Sequence, residues 1–256
     1  IGGFADIFRA RDKRSGELIA VKTPRGAKED NVWQTLDKRV FNEFLSEAEK
    51  WSRLKHQNIA ELKDFGSTPL PWLAMDFAEE GSLRKKLYST EKLSIEEAVE
   101  IALRLCDALH HAHNLGVVHL DIKPENILFI AGKPKLTDWG TAKTLLYEKV
   151  TRSRFTPEYA APEQLDPSYG EPDRRTDVYQ LGVVIYEMLV GKLPFATDSP
   201  ALLMREILEK SPPEPSKGNP EVPPELDKIV LRCLAKRKED RYEVIWLLRE
   251  DLGKVR

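Results

Sequence analysis

The sequence predicts an α+β protein of two coupled lobes, a small antiparallel β-sheet lobe spanning residues 1–77 and a larger, mainly helical lobe spanning 78–256. Three observations predict it. A chain of 256 residues is long enough for one large domain or two lobes that share a core. Short alternating runs rich in β-formers fill the first part, with a single helical stretch among them. After "EEGS" (residues 79–82) the apolar spacing changes to the helical period and stays there, apart from two short strands.

The elements follow in order. "ADIFRARD" and "GELIAVKT" alternate as strands, with Ser15-Gly16 as the hairpin turn. Residues 37–55 carry Phe41, Phe44, Leu45, Ala48, Trp51 and Leu54 at helical spacing. "IAELKDFGS" and "PWLAMDFA" read as two more strands. Ser94 and Glu97 form a capping-box pattern for a helix over 94–114, and Gly116 ends it. Ile127–Ile130 and Lys135–Thr137 read as strands, and "PSYGEPDRR" as a loop. Residues 175–190 are strongly apolar at helical spacing, which predicts a central buried helix. "SPPEPSKGNPEVPPE" is dense in proline and reads as an interhelix loop. "LDKIVLRCLAK" and "EVIWLLREDL" close the chain as helices.

Composition excludes several classes. A net charge of −2 gives no global attraction to nucleic acid or to an anionic membrane. The strongest apolar run, 181–191, is too short to span a bilayer and contains Glu187. Cys106 and Cys233 sit in helical patterns with no partner at metal-ligand spacing, so a reducing compartment is expected rather than a disulfide framework. His110, His111 and His113 crowd together, but a helix end explains them better than a metal cluster. No secretory signal is visible at the opening "IGGFADIF". The expected setting is cytoplasmic, either for this chain alone or as the cytosolic part of a longer, membrane-anchored protein.

The chemistry concentrates in "VVHLDIKPENILF", residues 117–129, where charged groups lie between apolar runs. Such groups are costly unless paired or used. Asp121, Asn126 and the later Asp138 of "TDWG" offer oxygen ligands that suit magnesium and leave room for phosphates. Lys22, in "LIAVK", needs an acidic partner to stay charged if buried, and Glu47 on the next helix can supply it. The glycine-rich opening "IGGFADI" can lay backbone amides over phosphates.

In order along the chain stand "GGFADI", "AVK", "HLDIKPEN", "DWG" and "APE". This ordered set resembles the catalytic domain of the eukaryotic-type Ser/Thr protein kinases over nearly the whole chain, in a form similar to the prokaryotic members. The resemblance implies a two-lobed protein-kinase fold and an ATP-dependent protein-serine/threonine kinase using Mg2+, with Mn2+ as the other metal. It also implies roles. Lys22 holds the α- and β-phosphates and Glu47 pairs with it, chosen over Glu43 and Glu49. Asp121 accepts the proton of the substrate hydroxyl, Lys123 stabilises the phosphate in transfer, and Asn126 and Asp138 hold the metal. Gly2 and Gly3 cover the nucleotide. Ile7, Ala20 and Leu128 sandwich the adenine with Met75 behind it, the backbone of Asp76, Phe77 and Ala78 forms the hinge, and Ser82 lies at the cleft's edge. Thr156 contacts Asp121 and Lys123, and "DRY" supplies Arg241 as partner to Glu163 of "APE". His119, Trp139, Trp51 and Leu62 stack as a packing column. The partners implied are ATP and protein substrates bearing Ser or Thr, with no nucleic acid and no membrane segment in this chain.

The chain departs from the pattern in three places. With Ile7 at the family's usual valine position, Ala5 stands where the third glycine is usual; the alternative is that residues are missing near Ile1, and in either case the family's first strand is absent from this sequence. Trp139 replaces a phenylalanine and is expected to bias the position of its loop. Leu120 replaces the arginine of H-R-D, which in the family receives a phosphate on the activation segment, here 138–163 with Thr144, Thr151 and Ser153. A non-RD kinase of this kind is expected not to depend strictly on that phosphorylation. The basic residues Lys143, Lys149, Arg152 and Arg154 read as a solvated loop. Two rivals remain open. A pseudokinase scaffold should lack Lys22, Asp121 or Asp138, and a small-molecule phosphotransferase of the same broad fold should lack Lys123 and "APE".

Overall fold

The computed structural model describes residues 5–24, 38–68, 71–139 and 157–255. Gly2, Gly3, Thr156 and the segment 140–156, with Thr144, Thr151, Ser153 and the basic residues among them, lie outside the described residues.

The small lobe carries a four-stranded antiparallel sheet among the described residues. β1 (Ala5–Arg11) pairs with β2 (Leu18–Pro24), β2 with β4 (Trp72–Asp76), and β4 with β3 (Leu62–Gly66), giving the order β1-β2-β4-β3. The β1–β2 turn contains Gly16 at φ +76°, a conformation that glycine adopts without a Cβ penalty. α1 (Lys38–Ser52) buries Ala48 and Trp51 completely, and the Trp51 indole donates to the Ala60 carbonyl at 2.7 Å.

β5 (Gly81–Ser82) leads into α2 (Leu83–Thr90), whose N-cap is Ser82. The break "EEGS" is therefore also a strand, because Gly81 and Ser82 pair with Phe129 and Leu128 of β6 (Ile127–Ile130). α2 has no full apolar stripe, only buried Leu83 and Leu87, so sequence periodicity passes over it. α3 (Ile95–Asn114) starts at Ser94, whose hydroxyl accepts from the Glu97 amide at 3.2 Å. Glu97 itself pairs with Lys86. β7 (Lys133–Leu136) begins two residues earlier than its pattern suggests, since it pairs through to Ile130 in a tight hairpin.

α4 (Pro162–Leu165) and α5 (Arg174–Val190) follow. α5 is buried from Thr176 to Leu189, as its strongly apolar composition predicts, and ends at Gly191 in the left-handed region. α6 (Pro200–Glu209) starts on a proline, as does α7 (Pro215–Gly218) inside the proline-rich loop, where an N1 proline forfeits no internal hydrogen bond. α8 (Pro224–Cys233) and α9 (Ile245–Lys254) close the lobe.

One apolar core runs from Ala20, Ala48 and Leu73 in the small lobe through Ile122, Ile127 and Trp139 to Leu252. The lobes also share backbone pairing: Ala60 N–H donates to Leu136 O at 2.8 Å and Leu136 N–H to Asn58 O at 2.9 Å. These contacts set the height of β2 over the loop that follows β7, and so place Lys22 above Asp138. Among the described residues no helix is long and apolar enough to cross a membrane.

Candidate functional site

Strand alternation puts Ala20 and Lys22 on the inward face of β2. Directly opposed residues share a face, so Ile7, opposite Lys22, and Met75, opposite Ala20, join them. Lys22, Ala20 and Met75 are buried, whereas Ile7 stands open on the edge strand at 65% exposure. Leu128 is opposite Ser82 on the other wall. The Asp76 carboxylate turns away from this face to Lys135 at 2.9 Å and Lys63 at 3.2 Å. Its amide donates to Glu61 O, and the Ala78 carbonyl accepts from Gly81 N–H. Phe77 lies under Arg9, whose guanidinium is 5.4 Å from the ring centre. Ser82 is spent partly on capping α2, its hydroxyl accepting from the Lys85 amide at 3.4 Å.

Lys22 bridges two acids. Its Nζ is 3.2 Å from Glu47 Oε1 and 3.1 Å from Asp138 Oδ1. Burial pushes the Glu47 carboxyl up to about 7, and the Lys22 charge offsets only part of this. Burial also raises Asp138, but Lys22 overrides it and holds that carboxyl below its usual range. The Lys22 ammonium, which burial alone would depress, is raised by its two acids. One cation thus serves two carboxylates.

The second group sits on the loop 119–126. Asp121 Oδ2 accepts from Lys123 Nζ at 2.8 Å and from Asn126 Nδ2 at 3.1 Å. Asn126 Nδ2 also donates to the Asp121 carbonyl at 2.8 Å. With its amide nitrogen committed to Asp121, Asn126 has only its oxygen left for a ligand. Asp121 and Asp138 keep about a quarter of their side-chain surface open, at 26% and 24%.

His119 is fully buried, 4.7 Å from the Trp139 ring. Its Nε2 lies 2.9 Å from the Thr137 carbonyl, and its Nδ1 accepts from the Asp121 amide at 3.3 Å. A carbonyl cannot donate, so Nε2 carries a proton and the ring bridges the strand before Asp138 to the Asp121 loop. Trp51 and Trp139 are fully buried in the same core, with Leu62 packed against it. The other histidines diverge. His113 meets Asp177 at 2.8 Å, His111 stacks on His56, and His110 faces Trp246.

The backbone conformation of this region and some of its supporting contacts carry no strong sequence signal. Leu120 is buried with φ +63°, and Asp138 has φ +65°. Such conformations cost non-glycine residues roughly 1–3 kcal/mol and persist only where the surroundings fix them. Asp177 on α5 supplies part of that hold, accepting from the amides of His119 at 3.0 Å and Leu120 at 2.7 Å. Arg84 on α2 joins Glu187 at 2.6 Å, Glu125 at 2.8 Å and the Tyr159 hydroxyl. Burial and the Glu187 charge push the Tyr159 phenol up. Below the loop, Arg241 grips Glu163, the partner expected for it from the sequence, through two bonds of 2.7 and 2.8 Å, both side chains wholly buried. A cavity of about 600 Å³ lies between the end of α3, the start of α5 and the turn before α9, lined by His113, Asp173, Arg175 and Lys238. It contains none of the residues predicted to hold nucleotide, metal or acceptor, and of the predicted residues only Arg241 borders it.

The family model described as "Protein kinase domain" matches residues 1–251. The serine/threonine-protein kinase PknB of Mycolicibacterium smegmatis is 34% identical, over 99% of this chain and 41% of its own length. A probable serine/threonine-protein kinase of Streptomyces coelicolor is 33% identical, over 98% of this chain and 38% of its own. This chain thus spans about two fifths of the length of the curated relatives it matches. Among solved structures, Rad53 residues 1–466 in complex with AMP-PNP superposes with a TM-score of 0.78 at 24% identity, covering 97% of this chain and 61% of that one.

Proposed function

The chain belongs to the protein kinase domain family, and from that premise we propose that it transfers the γ-phosphate of ATP to serine or threonine hydroxyls of protein substrates, with Mg2+ as the cation. The observation that carries the proposal is the Asp121 carboxylate, partly open and held by Lys123 and Asn126. An acceptor hydroxyl at Asp121 gives up its proton there as the phosphoryl group arrives, and Lys123 neutralises the charge on that group. Lys22, positioned by Glu47, binds the phosphates from above. Ile7, Ala20, Met75 and Leu128 enclose the adenine, with Phe77 and Ala78 at its edge. Residues 1–77 and 78–256 act as two lobes of one catalytic domain.

The donor set fits a hard divalent cation. Asp138 presents carboxylate oxygen, and Asn126, its amide nitrogen turned to Asp121, presents its carbonyl oxygen. Among the described residues no cluster of three or more His, Cys, Asp or Glu can hold a metal, which suits an ion that shares its coordination with substrate phosphates. Bound there, Mg2+ would neutralise the charge of those phosphates.

Two expected results follow from the local geometry. Below about 7, Glu47 takes up a proton and Lys22 loses one of its two anchors. Activity should therefore rise with pH and level off above that value, and Glu47→Gln should remove the rising limb of the kcat/KM profile. A limb that survives in Glu47→Gln assigns the titration to another group. Leu120, buried and without charge, cannot receive an activating phosphate. Phosphatase-treated protein should keep most of its activity toward a Ser/Thr peptide. Loss of transfer that rephosphorylation restores would refute this. The primary test is transfer of labelled phosphate from Mg-ATP to a generic protein substrate, compared with transfer to small alcohols.

A further inference from the structure

The loop that carries Asp121 is gripped from below by two glutamines. Gln180 lies one turn after Asp177 on α5, and both side chains point at the loop. Gln180 Oε1 accepts from the Ile122 amide at 2.9 Å, and Gln180 Nε2 donates to the Leu120 carbonyl at 3.1 Å. Gln164, the residue after Glu163, donates to the same Leu120 carbonyl at 2.9 Å. The two amides join each other, Gln180 Nε2 to Gln164 Oε1 at 2.9 Å, and Gln164 Oε1 also accepts from the Ala161 amide at 3.0 Å. Both glutamines are buried, at 8% and 3% exposure. With Asp177 they satisfy the amide and carbonyl of Leu120 and the amide of Ile122, the residues on either side of Asp121. The loop is thereby held in the left-handed turn at Leu120 that the backbone would not adopt alone.

We propose that Gln164 and Gln180 form a positioning latch for phosphoryl transfer: they fix the backbone on both sides of Asp121 and tie it to the segment 161–164 by uncharged contacts alone. This rests on the kinase reading given above. The latch acts through Asp121, so it governs the orientation of the acceptor and leaves nucleotide binding at Lys22 alone. Misplacing a reacting group by 1 Å costs on the order of a hundredfold in rate.

The test uses the full chain with Gln164→Met, Gln180→Met and the double variant, which preserve length and add no buried charge. The latch predicts a fall in kcat of about tenfold or more for Gln180→Met and a smaller fall for Gln164→Met, with KM for ATP within about twofold in both. The double variant should be no worse than Gln180→Met, because the two amides act as one unit. Amide exchange at Leu120 and Ile122 should quicken in parallel. A folded Gln180→Met protein with parental kcat overturns the latch, and so does a KM for ATP that rises in step with the loss. If Gln180→Met does not fold, Gln164→Met decides, and parental kcat in that variant overturns the proposal. A parent protein that transfers no phosphate refutes the kinase reading instead. The exchange rates then judge the latch, and unchanged protection in Gln164→Met overturns it.

Discussion

Replacing Asp121 by asparagine is expected to lower kcat by roughly a thousandfold, within the range that a positioned general base contributes. That fall corresponds to about 4 kcal/mol of lost transition-state stabilisation. Asparagine keeps the shape of the side chain and an oxygen facing Lys123, but it cannot take the hydroxyl proton. The Asn126 bond to the Asp121 main-chain carbonyl is untouched by the change, so the loop should keep its path. Nucleotide affinity, which the proposed function assigns to Lys22 and the apolar walls of the cleft, should stay at the parental value. The decisive measurement is single-turnover phosphate transfer at saturating Mg-ATP, alongside titration with a non-hydrolysable analogue. Transfer within tenfold of the parent would place the proton acceptor elsewhere, and a large loss of affinity would mean that the substitution had damaged the cleft.

The largest expected effect on stability is at Arg241. Its guanidinium holds Glu163 through two bonds and also donates to the carbonyls of Ala235 at 2.8 Å and Lys236 at 3.0 Å. Both members of the pair are fully buried. Arg241→Met would leave the Glu163 carboxylate without its cation in the interior, at a cost of about 3–5 kcal/mol. For a chain of this size that lowers the melting temperature by on the order of 10 °C. Thermal unfolding followed by circular dichroism reads the shift directly. The double variant Glu163→Met with Arg241→Met should recover much of the loss, since it removes the stranded charge and leaves only packing to repair. A single variant that melts like the parent would show that the contacts Glu163 keeps, among them the bond it already accepts from the Thr176 hydroxyl at 2.7 Å, suffice to hold the buried carboxylate. Arg241→Lys should behave more like methionine than like the parent, because a single ammonium cannot span both oxygens.

Much of the fold was legible because its signals are local. The β1–β2 hairpin, the Ser94 cap and the strongly apolar α5 each follow from a spacing or a turn residue. α2 was not legible. It is short, it buries only Leu83 and Leu87, and its start depends on β5 pairing with a strand some 45 residues later. The motif order pointed to Lys22, Asp121, Asn126 and Asp138, since each motif carries its own residue. The supporting shell of Gln164, Gln180, Arg84 and Tyr159 was silent, because a buried glutamine or arginine has no pattern until its acceptor is known.

By itself the sequence determined the class of the chain, the order of its lobes and the residue types available for chemistry. It also placed an uncharged leucine between His119 and Asp121. The tertiary structure decided what that substitution means. Leu120 is turned inward with a left-handed backbone, and its amide and carbonyl are taken by Asp177, Gln164 and Gln180 from two separate helices. Lys22 and Asp138, more than a hundred residues apart, meet only because β2 and the strand before Asp138 are joined through one core. Spacing along a chain fixes neighbours within a helix or a strand, whereas contacts at long separation form when burial and hydrogen-bond satisfaction select one packing of the whole.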